Sequence, residues 1–128
     1  MPKKILLVDD SPTVLLMEKM ILSKVGCQLI TAQDGQEAVE KATAELPDLI
    51  LMDVIMPRLN GFEACRQLRA NEATRGTPII LVTTRGELSN AEAGYEAGCN
   101  DYLTKPINGV ELLAKVKGIL GGQERRDD

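Results

Sequence analysis

Carboxylate and hydroxyl side chains follow three separate apolar runs of this sequence, at the point where each run stops. Asp9 and Asp10 follow the first run, Asp53 follows the second and Thr83 follows the third. The three runs occupy residues 5–8, 49–52 and 79–82. Side chains of these types bind metal ions and phosphoryl groups, so their shared position suggests one site and not four unrelated residues.

The apolar runs have the composition of strands that are buried on both faces. Such strands are typical of a parallel sheet covered by helices, and the ligands of these sheets bind beyond the carboxyl ends of the strands. Because Asp9, Asp10, Asp53 and Thr83 all follow carboxyl ends, we expect their side chains to converge although the sequence separates them.

Segments with helical periodicity alternate with the predicted strands. Ser11 before Pro12 is typical of a helix start, as is Asp34 before Gly35, and Gly26 is typical of a helix end. The positions predicted to face inward are Val14, Met17, Ile21 and Val25 in the first helix, Ala38, Val39, Ala42 and Leu46 in the second, Phe62, Cys65 and Leu68 in the third, and Val110, Leu113, Ala114 and Leu120 in the last.

The later helices differ in how firmly the sequence anchors them. Residues 88–97 form the weakest predicted helix because they hold few large apolar side chains and include Gly94. The glycine pair at 121–122 is expected to end the last helix, so that one domain spans residues 1–122 and residues 123–128 form a disordered charged tail. Two solvent-side ion pairs are predicted, Glu37 with Lys41 and Glu111 with Lys115.

The order of elements is strand then helix, five times over, if short strands at residues 28–32 and 102–104 are included. This alternation predicts an α/β, doubly wound (βα)5 fold with a parallel sheet and helices on both faces. Five strands suit the flavodoxin-like order 2-1-3-4-5. That order places a topological switch point between the first and third strands, where Asp9, Asp10 and Asp53 end the apolar runs.

Composition narrows the functional class. The 128 residues carry 15 basic and 19 acidic side chains, a net charge of −4, which lacks the basic footprint of nucleic-acid binding. No apolar stretch approaches the ~20 residues of a membrane span, and the apolar run at 5–8 is too short for a signal peptide, so we expect a cytoplasmic protein without membrane insertion. The cysteines are expected to be reduced packing residues and the methionines core filler, namely Cys27, Cys65 and Cys99, and Met17, Met20, Met52 and Met56.

The predicted cluster has a net negative charge, which indicates that it binds a cation. Asp9, Asp10 and Asp53 together carry −3 when ionised, and Lys105, just past the last short strand, supplies +1. The remaining −2 matches one Mg²⁺, which prefers one or two carboxylates with water and a phosphate oxygen. A carboxylate is then a plausible nucleophile toward phosphorus, with Lys105 and the Thr83 hydroxyl binding phosphoryl oxygens.

At this point the motifs resemble a known family. Asp9-Asp10, Asp53 with the Met56-Pro57 pair and Gly61 behind it, Thr83, and Lys105-Pro106 together resemble the receiver domain of bacterial two-component response regulators. The resemblance covers residues 4 to about 120. The run at residues 9–13 is similar to stand-alone regulators of chemotaxis-like and surface-motility systems.

The resemblance implies a role for several residues. Asp53 is expected to be the phosphoacceptor, taking its phosphoryl group from a histidine kinase. Asp10 and Asp53 are expected to ligate Mg²⁺ directly, with the backbone carbonyl of Ile55 as a third ligand and Asp9 acting through water. Lys105 resembles the family's salt-bridging lysine, and the peptide bond that follows it is expected to be cis.

The resemblance also implies a switch. Thr83 and Tyr102 are expected to form the switch pair, with the output surface on the fourth helix, fifth strand and fifth helix, which would bind an effector protein or relay phosphate. Enzymatic activity is expected only as self-phosphorylation and self-dephosphorylation, and the chain as a monomer or weak dimer. Two positions depart from the better-known chemotaxis regulators, Ile55 and Arg85, and both flank the path of the hydrolysing water in this family.

Alternatives remain open at the level of sequence. Taken singly, each aspartate can serve as a cap or turn residue, Thr83 as a strand residue, Lys105 as a solvated lysine and Tyr102 as a packing residue. A haloacid-dehalogenase-like phosphatase also uses an aspartate nucleophile, but it needs a second aspartate where this chain has Ile55. A pseudo-receiver that binds partners without phosphorylation is the other alternative.

Overall fold

The fold is described by a computed structural model, which covers residues 2–84 and 91–125. Five parallel strands form one sheet in the order β2-β1-β3-β4-β5, as predicted. The strands are β1 Lys4–Val8, β2 Gln28–Ala32, β3 Leu49–Asp53, β4 Ile79–Thr83 and β5 Asp101–Thr104. The carboxyl ends of β1, β3 and β4 therefore lie side by side at one edge of the sheet.

Helices follow the strands in alternation. They are α1 Pro12–Leu22, continued by a 3-10 turn over Ser23–Val25, α2 Gly35–Glu45, α3 Gly61–Ala70, α4 Ala91–Ala97 and α5 Gly109–Arg125. The predicted caps are present, because Ser11 Oγ accepts a hydrogen bond from Val14 N and Asp34 Oδ1 accepts one from Glu37 N. Gly26 ends the first helical segment in the left-handed region, with φ of 75°.

The sheet separates two hydrophobic cores, as alternation along buried strands requires. Odd-numbered residues of β1 and β3, such as Leu7 and Leu51, pack with α1 and α5, and their even-numbered neighbours pack with α2, α3 and α4. Tyr102 packs against the second of these cores. Each strand end therefore directs a side chain toward a known pair of helices.

The inward faces of α1 and α5 differ from the prediction. Leu15, Glu18 and Leu22 are the buried residues of α1, while Met17 and Met20 are exposed. Apolar residues occur on every side of this helix, so periodicity alone did not set its rotation. In α5 the buried positions are Leu112, Val116 and Leu120, whereas Val110, at 79% exposure, and Ala114 face solvent.

Other details of the helices also differ. Leu46 caps α2 with positive φ and is exposed, and Lys115 pairs with Asp101 at 2.7 Å instead of with Glu111. The prediction that α5 ends at 121–122 is wrong, because the helix continues to Arg125. A helical glycine costs about 1 kcal/mol but does not by itself end a helix. Arg85, residues 88–90 of the predicted fourth helix, and residues 126–128 lie outside the described residues.

The predicted Glu37–Lys41 ion pair and the packing roles of Cys65, Cys99, Met52 and Met56 are confirmed. Glu37 and Lys41 form an ion pair at 3.6 Å. Cys27, Cys65 and Cys99 form no disulfide among the described residues, and Cys65 and Cys99 are buried while Cys27 is half-buried. Met52 and Met56 are buried in the core. Among the described residues, no helix is both long and apolar enough to cross a membrane.

Candidate phosphoacceptor and cation site

Three carboxylates converge at the carboxyl edge of the sheet. One oxygen from each of Asp9, Asp10 and Asp53 lies within 4.8 Å of the others. Asp9 and Asp53 are buried and Asp10 is exposed. The buried pair follows strand alternation, because each lies two residues beyond a leucine that packs toward α1 and α5. The convergence predicted from the strand ends is present for these three carboxylates.

Lys105 completes the cluster. Its Nζ lies 3.4 Å from Asp9 Oδ2 and 3.3 Å from Asp53 Oδ1. The backbone places it there, because Lys105 N donates a 2.7 Å hydrogen bond to the carbonyl of Thr83. The peptide bond to Pro106 is cis, as expected. One ammonium group thus bridges the two buried carboxylates.

Burial sets the charge behaviour of these groups. It raises the pKa of Asp53 to about 6, with the Asp9 charge adding to the rise and Lys105 opposing it. Burial also raises the pKa of Asp9. For Lys105, burial acts to lower the pKa, but the carboxylates of Asp53 and Asp9 outweigh it and the net shift is upward. The cluster therefore holds more negative charge than one lysine compensates.

The loop after Asp53 is held close to the site by a glycine. Gly61 N donates a 2.8 Å hydrogen bond to the carbonyl of Val54, and a Cβ at Gly61 would lie 2.6 Å from the carbonyl oxygen of Asp53. The start of α3 can approach β3 this closely only without a side chain at this position.

Substituting Gly61→Ala is expected to destabilise the chain by about 1–3 kcal/mol, because the added methyl group must displace the backbone of Asp53. Urea unfolding of both proteins measures the difference. The control is Gly118→Ala in α5, where a Cβ meets nothing within 4 Å. Equal stability of Gly61→Ala and the parent chain would contradict the close approach.

The remaining predicted residues lie around this cluster. Thr83 is buried at the end of β4, and its hydroxyl donates a long 3.4 Å hydrogen bond to the carbonyl of Thr84. Tyr102 is half-buried on the side of the sheet that faces α4, and its ring contacts that of Tyr95. The Ile55 side chain is exposed beside the site.

Glu18 is a residue of this region that the sequence analysis missed. Its side chain is 1% exposed and Oε1 has no hydrogen-bond partner, although it lies in the core between Leu15 and Leu22. Burial raises its pKa to about 8, and the charges of Asp9 and Asp53 add to the rise. The signal was present in the sequence, since Glu18 stands within an apolar helix at a core spacing from both leucines.

The donor set fits a hard divalent cation. Asp9 Oδ2 is buried and has no hydrogen-bond partner among the described residues, and the Lys105 ammonium lies 3.4 Å from it. An unsatisfied buried carboxylate oxygen beside two further carboxylates is suited to a cation with oxygen ligands, reached directly or through water. The residues present can therefore hold Mg²⁺.

Comparison with known proteins agrees with this geometry. The family described as response regulator receiver domain matches residues 5–117. The chain belongs to this family. Receiver domains bind Mg²⁺ at an acidic pocket, interact with histidine kinases and downstream targets, and are typically non-enzymatic signalling switches.

Among curated relatives of this receiver domain is Protein PilH of Pseudomonas aeruginosa PAO1. It is 42% identical over 119 residues, which cover 93% of this chain and 98% of PilH. The chain spans about half the length of several other curated relatives that it matches. The shared region is therefore the receiver domain itself.

Solved structures are similar over nearly the whole receiver domain. The chemotaxis response regulator CheY4 of Vibrio cholerae has a TM-score of 0.87 at 34% identity, covering 93% of this chain and 99% of CheY4. The receiver domain of sensor histidine kinase PA1611 from P. aeruginosa PAO1 has a TM-score of 0.86 at 36% identity, covering 94% and 99%. That structure has a magnesium ion coordinated in its active-site cleft.

Proposed function

We propose that this receiver domain is a phosphorylation-controlled switch in which Asp53 accepts a phosphoryl group from the phosphohistidine of a histidine kinase. The observation that carries the proposal is the convergence of Asp9, Asp10 and Asp53 within 4.8 Å, with Lys105 bridging the buried pair. No single structural use of these residues explains why all of them meet at one edge of the sheet.

The chemistry is a transfer from nitrogen to oxygen. A carboxylate oxygen of Asp53 forms a bond to phosphorus as the bond from phosphorus to the imidazole nitrogen of the donor breaks. Lys105, already 3.3 Å from Asp53 Oδ1, binds one phosphoryl oxygen, and the Thr83 hydroxyl binds another. Turnover on this domain is limited to self-phosphorylation and self-dephosphorylation.

The residues that would hold the cation are Asp10, Asp53 and the backbone carbonyl of Ile55, with Asp9 acting through water. The magnesium ion coordinated in the active-site cleft of the PA1611 receiver structure supports a cation in this cleft. When bound, Mg²⁺ neutralises charge on the transferring phosphoryl oxygens. The exposed apolar Ile55 side chain beside the site is expected to influence how long the phosphoryl group survives.

The output passes through the surface formed by α4, β5 and α5. Thr83 follows Leu81 by two residues and so lies on the α4 side of the sheet, as Tyr102 does. The surface binds an effector protein or the domain relays phosphate onward. Similarity to CheY4 and the run at residues 9–13 favour a chemotaxis-like or motility pathway.

Incubation with acetyl phosphate and Mg²⁺ tests this function by mass spectrometry of the intact chain. We expect a gain of one phosphoryl group that maps to Asp53 and that EDTA prevents. Repeated turnover of a generic phosphate ester would favour a phosphatase instead. Absence of any mass gain, with acetyl phosphate or with a panel of histidine kinases, would favour a pseudo-receiver.

A further inference from the structure

Gly94 lies in the middle of α4, where its backbone conformation does not require glycine. It is buried, and a Cβ built there would overlap the Tyr102 hydroxyl and lie 2.7 Å from its Cζ and 3.1 Å from Leu81 Cδ1. Glycine is unfavourable inside a helix, so the residue is explained here by the space it leaves. That space is filled by the tip of the Tyr102 ring.

Tyr95, the next residue of α4, contacts the same Tyr102 ring. Its ring centroid lies 5.3 Å from that of Tyr102 with an interplanar angle of 76°, an edge-to-face arrangement that is favourable for aromatic pairs. Tyr95 is 52% exposed. The half-buried Tyr102 ring thus meets the buried Gly94 on one side and the exposed Tyr95 ring on another.

Strands β4 and β5 line the side of this space that faces the sheet. Tyr102 pairs in register with Leu81 of β4, and Thr83 lies two residues farther along that strand on the same face. Cys99 is buried in the same core against which Tyr102 packs. The ring is therefore enclosed by β4, β5 and α4 together.

The C-terminal end of α4 is anchored separately. Arg69 Nε donates a 2.9 Å hydrogen bond to the carbonyl of Gly98, and Arg69 Nη2 donates one of 2.9 Å to Asn100 Oδ1. Asn100 Oδ1 also accepts a 2.8 Å hydrogen bond from Ile79 N. Rearrangement of α4 about this anchored end would change the space at Gly94 and Tyr95.

We propose that Gly94 and Tyr95 form the seat of Tyr102, in which Gly94 makes room for the hydroxyl and Tyr95 closes the pocket, so that the position of Tyr102 and the environment of Tyr95 change together. This inference rests on the proposed switch function and adds two positioning residues to it. Because the Tyr95 ring is on the surface, its movement alters the face of α4 that a partner meets.

Fluorine NMR of the full chain labelled with 3-fluorotyrosine tests the seat directly. The sequence has two tyrosines and no tryptophan, so two resonances are expected, and Tyr95→Phe and Tyr102→Phe assign them. With beryllofluoride and Mg²⁺, both resonances should move. Movement of the Tyr102 resonance alone in a chain that accepts phosphoryl groups would overturn the seat, whereas a chain that accepts none would overturn the proposed function.

A second experiment uses the variant Gly94→Ala. Its matched control is Gly118→Ala, because a Cβ at that position meets nothing within 4 Å. Without beryllofluoride, Gly94→Ala should move both resonances by about half or more of the displacement that beryllofluoride causes in the parent chain, while Gly118→Ala leaves them in place. Unmoved resonances in folded Gly94→Ala overturn the proposal. If Gly94→Ala does not fold, Tyr95→Leu replaces it, and an unmoved Tyr102 resonance in that variant overturns the proposal equally.

Discussion

Replacing Asp53 by asparagine is expected to reduce the rate of phosphoryl uptake from acetyl phosphate by on the order of 10³-fold or more. The amide cannot act as the nucleophile, and the substitution also removes one of the carboxylates that meet within 4.8 Å. Mass spectrometry of the intact chain at fixed Mg²⁺ measures the uptake.

The matched control is Asp48→Asn, just before the opposite end of the same strand. Asp48 Oδ2 accepts a 2.8 Å hydrogen bond from Lys4 N, far from the carboxyl edge. This variant should take up phosphoryl groups at the rate of the parent chain. Uptake that persists in Asp53→Asn and maps to another aspartate would show that the wrong carboxylate has been assigned.

Removing the Glu18 carboxyl is expected to stabilise the metal-free chain. The folded pKa of Glu18 is raised from 4.5 to about 8, so the folded chain binds a proton there that the unfolded chain releases. Stability therefore falls as pH rises from the unfolded pKa through the folded one. Glu18→Gln should be more stable than the parent chain at about pH 8.5, by on the order of 2–4 kcal/mol, and nearly equal at about pH 5.

Urea unfolding in EDTA across this pH range measures the effect. Asp53, with its pKa raised to about 6, contributes a similar fall at lower pH, so the upper part of the range isolates Glu18. Glu72→Gln, at an exposed position, is the control and should follow the parent chain. If Glu18→Gln loses stability between about pH 6 and pH 8 as steeply as the parent chain does, Glu18 is not the group responsible.

The site could be predicted because its position depends on topology. Parallel strands that are buried on both faces must end at a shared edge, so Asp9, Asp53 and Thr83 were located by the runs that precede them. The Lys105 contact distances, and the burial of Asp9 with exposure of Asp10, needed the structure. Those details depend on backbone hydrogen bonds, such as the one from Lys105 N to the carbonyl of Thr83, which cannot be read from the sequence.

Helix rotation was less predictable for a different reason. In α1 apolar residues occur on all sides, so Met17 fits the helical period as well as Leu15 does, and only contact with the sheet selects Leu15 and Glu18. The same ambiguity explains why Val110 of α5, which was predicted to face inward, is exposed in the structure. The seat at Gly94 was also invisible to sequence reasoning, because it depends on a contact between a helix and a strand.

Isothermal titration of the EDTA-treated chain with MgCl₂ tests the central claim most directly, namely that carboxylates from separate strands form one cation site. We predict saturable binding of one Mg²⁺ per chain, weakened about tenfold or more in Asp10→Asn and in Asp53→Asn and unchanged in Asp48→Asn. Absence of saturable binding, or binding that both site substitutions leave intact, would contradict it.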